Sequence, residues 1–90
     1  MGEVRENPAF NRFELELGGA VAAAYYSKTP GVITFTHTEV PQELSGQGVG
    51  SKLARGALEA ARSQGLKVIA KCPFIGAYIA KHPEFADLLN

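Results

Sequence analysis

The chain has 90 residues, 46% of them hydrophobic and 20% charged, and its nine basic side chains balance nine acidic ones. So short a chain buries roughly 60–65% of its unfolded surface, enough for one core, and a single domain spanning 1–90 is expected. Zero net charge argues against a broad nucleic-acid footprint, the longest apolar run (Ala20 to Tyr26) is about a third of the roughly 20 residues of a membrane span, and the lone Cys72 excludes an internal disulfide framework.

No charged leader followed by an apolar run opens the chain, so the cytoplasm is the expected compartment, and a monomer without nucleic-acid or membrane partners is expected. In chain order, residues 1–8 read as a polar lead-in. From Ala9 to Leu17, Phe13, Leu15 and Leu17 alternate with Arg12, Glu14 and Glu16, the period of a strand with one wet face. Gly18-Gly19 signals a hairpin, Ala20 to Ser27 forms a second strand, and a Lys28-Thr29-Pro30-Gly31 turn leads into a β-branched third strand, Val32 to Val40.

From Gln47 to Ser63 the period becomes helical: Val49, Leu53, Ala57 and Ala60/Ala61 share one side, Lys52, Arg55, Glu59 and Arg62 the other. Gly65 ends that helix, Leu66 to Ala70 reads as a buried strand, and Pro73 opens a second helix over Phe74 to Lys81. Pro83 closes it before a last helical piece, Glu84 to Leu89. The order β-β-β-α-β-α, with that last piece, is an α/β (α+β) arrangement. It predicts a mixed sheet in which an antiparallel meander adjoins one parallel pair, strands three and four, joined by the long helix.

Ser45-Gly46-Gln47-Gly48-Val49-Gly50-Ser51-Lys52 lies where strand gives way to helix, a place where backbone N–H groups and the helix dipole stabilise phosphate without basic side chains. It is not a P-loop, which sets four residues between its glycines where Gly46 and Gly50 have three. Nor is it the dinucleotide fingerprint, which needs a glycine where Ser51 or Leu53 stands. The segment resembles the acyl-coenzyme A loop of the Gcn5-related N-acetyltransferase superfamily, Arg/Gln-x-x-Gly-x-Gly/Ala, with Ser45 where Arg or Gln is usual. Thr34 to Pro41 before it and Lys71-Cys72-Pro73-Phe74 after it resemble the small single-domain acetyltransferase-like proteins of the YjdJ type, over residues 7–89. A plainer reading makes the glycines a flexible connection into the helix.

The resemblance implies a minimal acetyltransferase-like fold with acetyl-coenzyme A as cofactor, lying across the splayed ends of strands three and four and held by Glu39, Val40, Gln47, Gly48, Val49, Gly50 and Ser51. Tyr78 and Lys81, three apart on the second helix, would receive the adenine and ribose phosphate, while Phe74 and Ile79 are expected in the core. Because the parallel strands run toward one edge, His37 and Cys72 are expected to meet there as catalytic residues. Two routes fit. His37 or Glu39 removes a proton from an amine acceptor, protein or small molecule, or Cys72 first takes the acetyl group as a thioester with His37 activating it.

Against these stand a Cys72 that is a small buried hydrophobe, a His37 that is a hydrogen-bonded strand residue and a Glu39 that is a solvated carboxylate. A Cys72/His37/His82 metal site lacks the paired spacing such sites use, and no metal is expected. The chain has neither extra helices after its first strand nor further strands to wall an acceptor. A coenzyme A binding or regulatory module without efficient catalysis is therefore the alternative.

Overall fold

The computed structural model describes residues 3–90. The alternation read from Phe13 and Leu15 produces strand β2 (Arg12–Leu17), followed by β3 (Ala20–Thr29) and β4 (Val32–Glu39). The long amphipathic stretch forms α1 (Val49–Ser63), then come β5 (Lys67–Ala70) and α2 (Pro73–Lys81). Short 3₁₀ turns cover Pro8–Phe10, Gln42–Leu44 and Pro83–Leu88. A further strand, β1 (Arg5–Asn7), precedes them all. The five strands lie in sequence order, with β4 and β5 parallel and the earlier neighbours antiparallel.

The mixed sheet expected from the sequence therefore forms, with one strand more than expected. Residues 5–7, read as part of a polar lead-in, pair with β2 as Arg5↔Glu14, Glu6↔Phe13 and Asn7↔Arg12. Met1 and Gly2, also in that lead-in, lie outside the described residues. So short a polar strand shows no alternation; distant contacts hold it. Val4 packs on α1 at Gly56, where an added Cβ would come within 2.5 Å of the Val4 Cβ. The Glu6 carboxylate accepts hydrogen bonds from the Tyr26 hydroxyl, from Lys28 Nζ (2.7 Å) and from Gln64 Nε2 (2.9 Å). β1, β3 and the C-terminus of α1 meet at that carboxylate. This also explains why Lys28 and Thr29, expected in a turn, extend β3: Lys28 pairs with Ile33 and reaches Glu6.

One face of the sheet is covered. Phe13, Leu15, Ala22, Ala24, Ile33 and Phe35 meet Leu53, Ala57, Leu58 and Ala61 of α1 in a single core. Small residues on both sides let helix and sheet approach closely, and Leu53 and Leu58, fully buried, contribute about 1.5–3 kcal/mol each by transfer from water. α1 ends with Gly65 N–H donating to Arg62 O and Leu66 N–H to Ala61 O, the paired bonds of a Schellman stop. The outer edge of β5 is closed by a bridge from Val68 to Leu89 and by Asn90 N–H donating to Val68 O (3.0 Å).

Replacing a mid-helix glycine by alanine usually stabilises by about 0.5–1 kcal/mol. Gly56→Ala is expected to do the reverse, because Val4 would have to move, with an overpacking penalty of about 1–3 kcal/mol. The urea midpoint should fall in Gly56→Ala, and Gly56→Ala should cost less in a Val4→Gly background, where the clashing Cβ is absent; a rise in the single variant would show that β1 does not seat there.

Burial of Glu6 acts to raise its pKa, but hydrogen bonds from Lys28, Tyr26 and Gln64 outweigh it and hold the carboxyl below its ordinary value near 4.5. A lowered folded-state pKa gives stability that is present above the unfolded value and lost as pH falls through the folded one. Between pH 7 and pH 3 the wild-type urea midpoint should therefore fall further than that of Glu6→Gln.

Candidate functional site

β4 and β5 pair from Val32↔Lys67 to Phe35↔Ala70, and Cys72 N–H closes the ladder on Phe35 O at 2.9 Å. There the two strands part: β4 continues to Glu39 while β5 gives way through Lys71-Cys72 to α2, and among the described residues no strand pairs with that edge of β4 beyond Phe35. The parting coincides with a bulge. Tyr26 pairs with Phe35 but Tyr25 with His37, leaving Thr36 as an extra residue in β4.

The bulge reverses which side chains face which way. Simple alternation from Ile33 and Phe35 would send His37 to the helix-covered face, toward Cys72. With Thr36 inserted, His37 instead stands beside Tyr25 on the open face, ring centroids 6.0 Å apart, and its Nε2 bonds Glu39 at 3.1 Å. Both side chains are 60% exposed. Thr38 turns inward and sets its Oγ1 3.1 Å from Cys72 Sγ. The expected His37–Cys72 pair is therefore replaced by Thr38–Cys72, with a thiol 2% exposed at the N-cap of α2. A polar histidine where alternation asks for an apolar residue was the one sign of this in the sequence.

Past β4 the glycine loop turns into α1. Gly46 (φ +79°) and Gly48 (φ +73°) have left-handed backbone, and a Cβ at either would meet no atom within 4 Å. Conformation rather than space selects glycine, at about 1–2 kcal/mol against other residues. Gly48 is the N-cap of α1 and no side chain caps the helix, whose first bond runs from Lys52 N–H to Gly48 O at 3.0 Å. The N–H groups of Val49, Gly50 and Ser51 thus face the loop without a side-chain acceptor. They border a cavity of about 280 Å³ that Val40, Leu44, Ser45, Gly46, Gly48 and Phe74 also line. Val49 is itself fully buried, so the open donors at this start are those of Gly50 and Ser51.

Phe74, expected in the core, lies 40% exposed with its ring against Gly50, where a Cβ would sit 2.8 Å from Phe74 Cζ. The core face of α2 is Ile75, Tyr78 and Ile79, and Phe74 points away from it into the space Gly50 leaves. A second cavity of about 110 Å³ continues from Ser51 and Phe74 along Ala77 and Tyr78 to Lys81 and His82. Tyr78 is 7% exposed and stacked on His82 (3.9 Å), so it belongs chiefly to the core.

Of the residues singled out in the sequence, the structure brings Val40, Gly48, Val49, Gly50 and Ser51 together at the first cavity, and Ser51, Tyr78 and Lys81 at the second. Gln47 turns back to donate to Glu43 O at 3.2 Å and lines neither, and Glu39 is on His37. Larger cavities, of about 380 and 430 Å³, lie at the β1–β2 corner and beside Glu3 and Val4; charged side chains predominate there and neither reaches the loop. Thr38, Phe74 and His82 are the site neighbours whose placement sequence reasoning missed.

The chain is similar to known proteins on two counts. The family described as GCN5-related N-acetyltransferase matches residues 12–88. The solution structure of a GCN5-like protein from Staphylococcus aureus superimposes with a TM-score of 0.73 at 33% identity, covering 98% of this chain and 87% of that one. No curated protein matches.

With its thiol 2% exposed, Cys72 should react only through opening of the site. Alkylation by iodoacetamide is expected to be at least about tenfold slower in the native protein than in denaturant at the same pH. Equal rates would show an accessible thiol and overturn the burial of Cys72.

Proposed function

This chain belongs to the GCN5-related N-acetyltransferase family, and from that premise we propose that it binds acetyl-coenzyme A and transfers the acetyl group to an amine. The observation that carries the proposal is the uncapped start of α1, opening through left-handed glycines onto a cavity beside the point where β4 and β5 part.

The chemistry of this groove suits coenzyme A. Gly50 and Ser51 would hold the pyrophosphate by backbone N–H groups, aided by the α1 dipole and needing no basic patch. The edge of β4 from Thr36 to Glu39, unpaired among the described residues, offers main-chain groups to the amides of the pantetheine arm. Lys81 stands at the nucleotide end. Bound there, acetyl-coenzyme A supplies an acyl group activated as a thioester.

His37 is the base that the geometry favours. Its Nε2–H donates to Glu39, so Nδ1 keeps the lone pair that takes a proton from the amine, and Glu39 stabilises the imidazolium that results. Both lie on the open face of the sheet, where an acceptor needs no enclosing wall. Cys72 has less support as an acetyl carrier: it is buried and its partner is Thr38, a hydroxyl that does not serve as a base at neutral pH. Direct transfer is the reading that these contacts favour.

Calorimetry with acetyl-coenzyme A tests the loop: Gly48→Val should weaken binding at least about tenfold while keeping the far-ultraviolet spectrum, since its side chain opposes the left-handed turn and crowds the N–H groups. Unchanged affinity would remove the site. Turnover on an amine panel should fall about 100-fold or more in His37→Ala and persist in Cys72→Ala. A covalent acetyl adduct abolished by Cys72→Ala would favour the cysteine route instead, and binding without turnover on any amine the non-catalytic module.

A further inference from the structure

We infer that Tyr25, anchored by Arg12, is the positioning residue for His37: its ring holds the imidazole in one pose on the open face of the sheet. The inference rests on the proposed role of His37 as the base and names what keeps that base in place.

Four side chains stand in one row across four strands. Asn7 pairs with Arg12, Arg12 with Tyr25, and Tyr25 with His37. The last step exists because of the bulge, since unbroken pairing onward from Tyr26↔Phe35 would set Thr36 opposite Tyr25. Side chains directly opposite one another on one face of a sheet lie within reach of contact, so the row can carry order from one strand to the next.

Each contact fixes the next. The Glu14 carboxylate accepts hydrogen bonds from Asn7 Nδ2 at 3.0 Å and from Arg12 Nε, which sets the guanidinium. Arg12 Nη1 then donates to the Tyr25 hydroxyl at 2.9 Å, and the guanidinium carbon lies 5.6 Å from the centre of the same ring. The side chains of Arg12 and Glu14 are 25% exposed against 60% for His37 and Glu39, so the anchor is the more sheltered end of the row.

His37 needs such a neighbour. Its bond to Glu39 fixes which nitrogen carries the proton, but one hydrogen bond between two exposed side chains leaves the ring free to swing about it. The second contact is the Tyr25 ring, with centroids 6.0 Å apart and planes 22° from parallel, an offset stack that restricts the imidazole plane. Tautomer from one neighbour and plane from the other keep Nδ1 aimed in a constant direction. Less orientational freedom then remains to be lost on the way to the transition state. Neither Tyr25 nor Arg12 lines the loop cavity, so cofactor binding is independent of the row.

Nuclear magnetic resonance of the ligand-free protein reads the pose directly, with His82 on the other helix-covered side as an internal control. Wild type should show the side-chain couplings of a single His37 rotamer and through-space contacts from the Tyr25 ring to the imidazole. Tyr25→Ala should average the His37 couplings and leave those of His82 unchanged, and Arg12→Ala, which keeps the Tyr25 ring, should do so independently. Tyr25→Phe retains the stack and should keep the single rotamer. On an amine that wild type acetylates, kcat should fall about tenfold in Tyr25→Ala and stay within about threefold in Tyr25→Phe, with the KM for acetyl-coenzyme A unchanged in both. Averaged couplings already present in wild type, or couplings or kcat unchanged in Tyr25→Ala, would overturn the positioning role and leave the proposed transfer standing. Wild type that acetylates no amine would overturn the proposed transfer instead, while the couplings still decide whether Tyr25 holds His37.

Discussion

A single extra residue in β4 governs the arrangement of the site. With Thr36 inserted between Phe35 and His37, the side chains beyond it exchange faces. The β4–β5 ladder ends at Phe35↔Ala70, immediately before that residue, and the last carbonyl is satisfied by Cys72 N–H. Pro73 then starts α2 at a position where its missing N–H costs nothing. Bulge, strand ending and helix start thus occur within a few residues of one another, and together they place a thiol and a hydroxyl on one side of the sheet and a histidine and a carboxylate on the other. An ungapped β4 would have put His37 on Cys72's side and left the open face without its histidine.

The second organising fact is electrical. The chain is neutral, yet its family handles a highly anionic cofactor. The loop offers a solution that needs no net charge, because orphan N–H groups at a helix start are fixed dipoles aimed into a cavity. What basic charge the groove has stands at its far end, on α2. The contrast between polar but neutral donors at one end and cations at the other gives the groove a direction.

Much of this was legible in the sequence, for reasons specific to each element. Phe13 and Leu15 against Arg12 and Glu14 named a half-wet strand; Val49, Leu53 and Ala57 named a helix; Gly48 and Gly50 named the junction between strand and helix. Three features were hidden. β1 is too short and polar to show a period, and its partners, Tyr26 and Gln64, lie far along the chain. The bulge shows in the sequence only as a histidine at an apolar position, since Thr36 is an ordinary strand residue, and simple alternation therefore points His37 rather than Thr38 toward Cys72. Phe74 has the hydrophobicity of a core residue, and only the absence of a Cβ at Gly50 explains where its ring goes.

The knot at Glu6 also has a kinetic meaning. Its carboxylate meets Gln64 across 58 residues of chain, and Val4 seats on a helix that has to exist before it can be covered. Contacts of such long range cost the most loop-closure entropy and form after local ones. A polypeptide made from its N-terminus releases β1 first, yet β1 gains its native partners only once the last turn of α1 has followed it. β1, made before the other strands of this sheet, is thereby among the last of them to settle, and it fastens a helix whose opposite end borders the glycine loop.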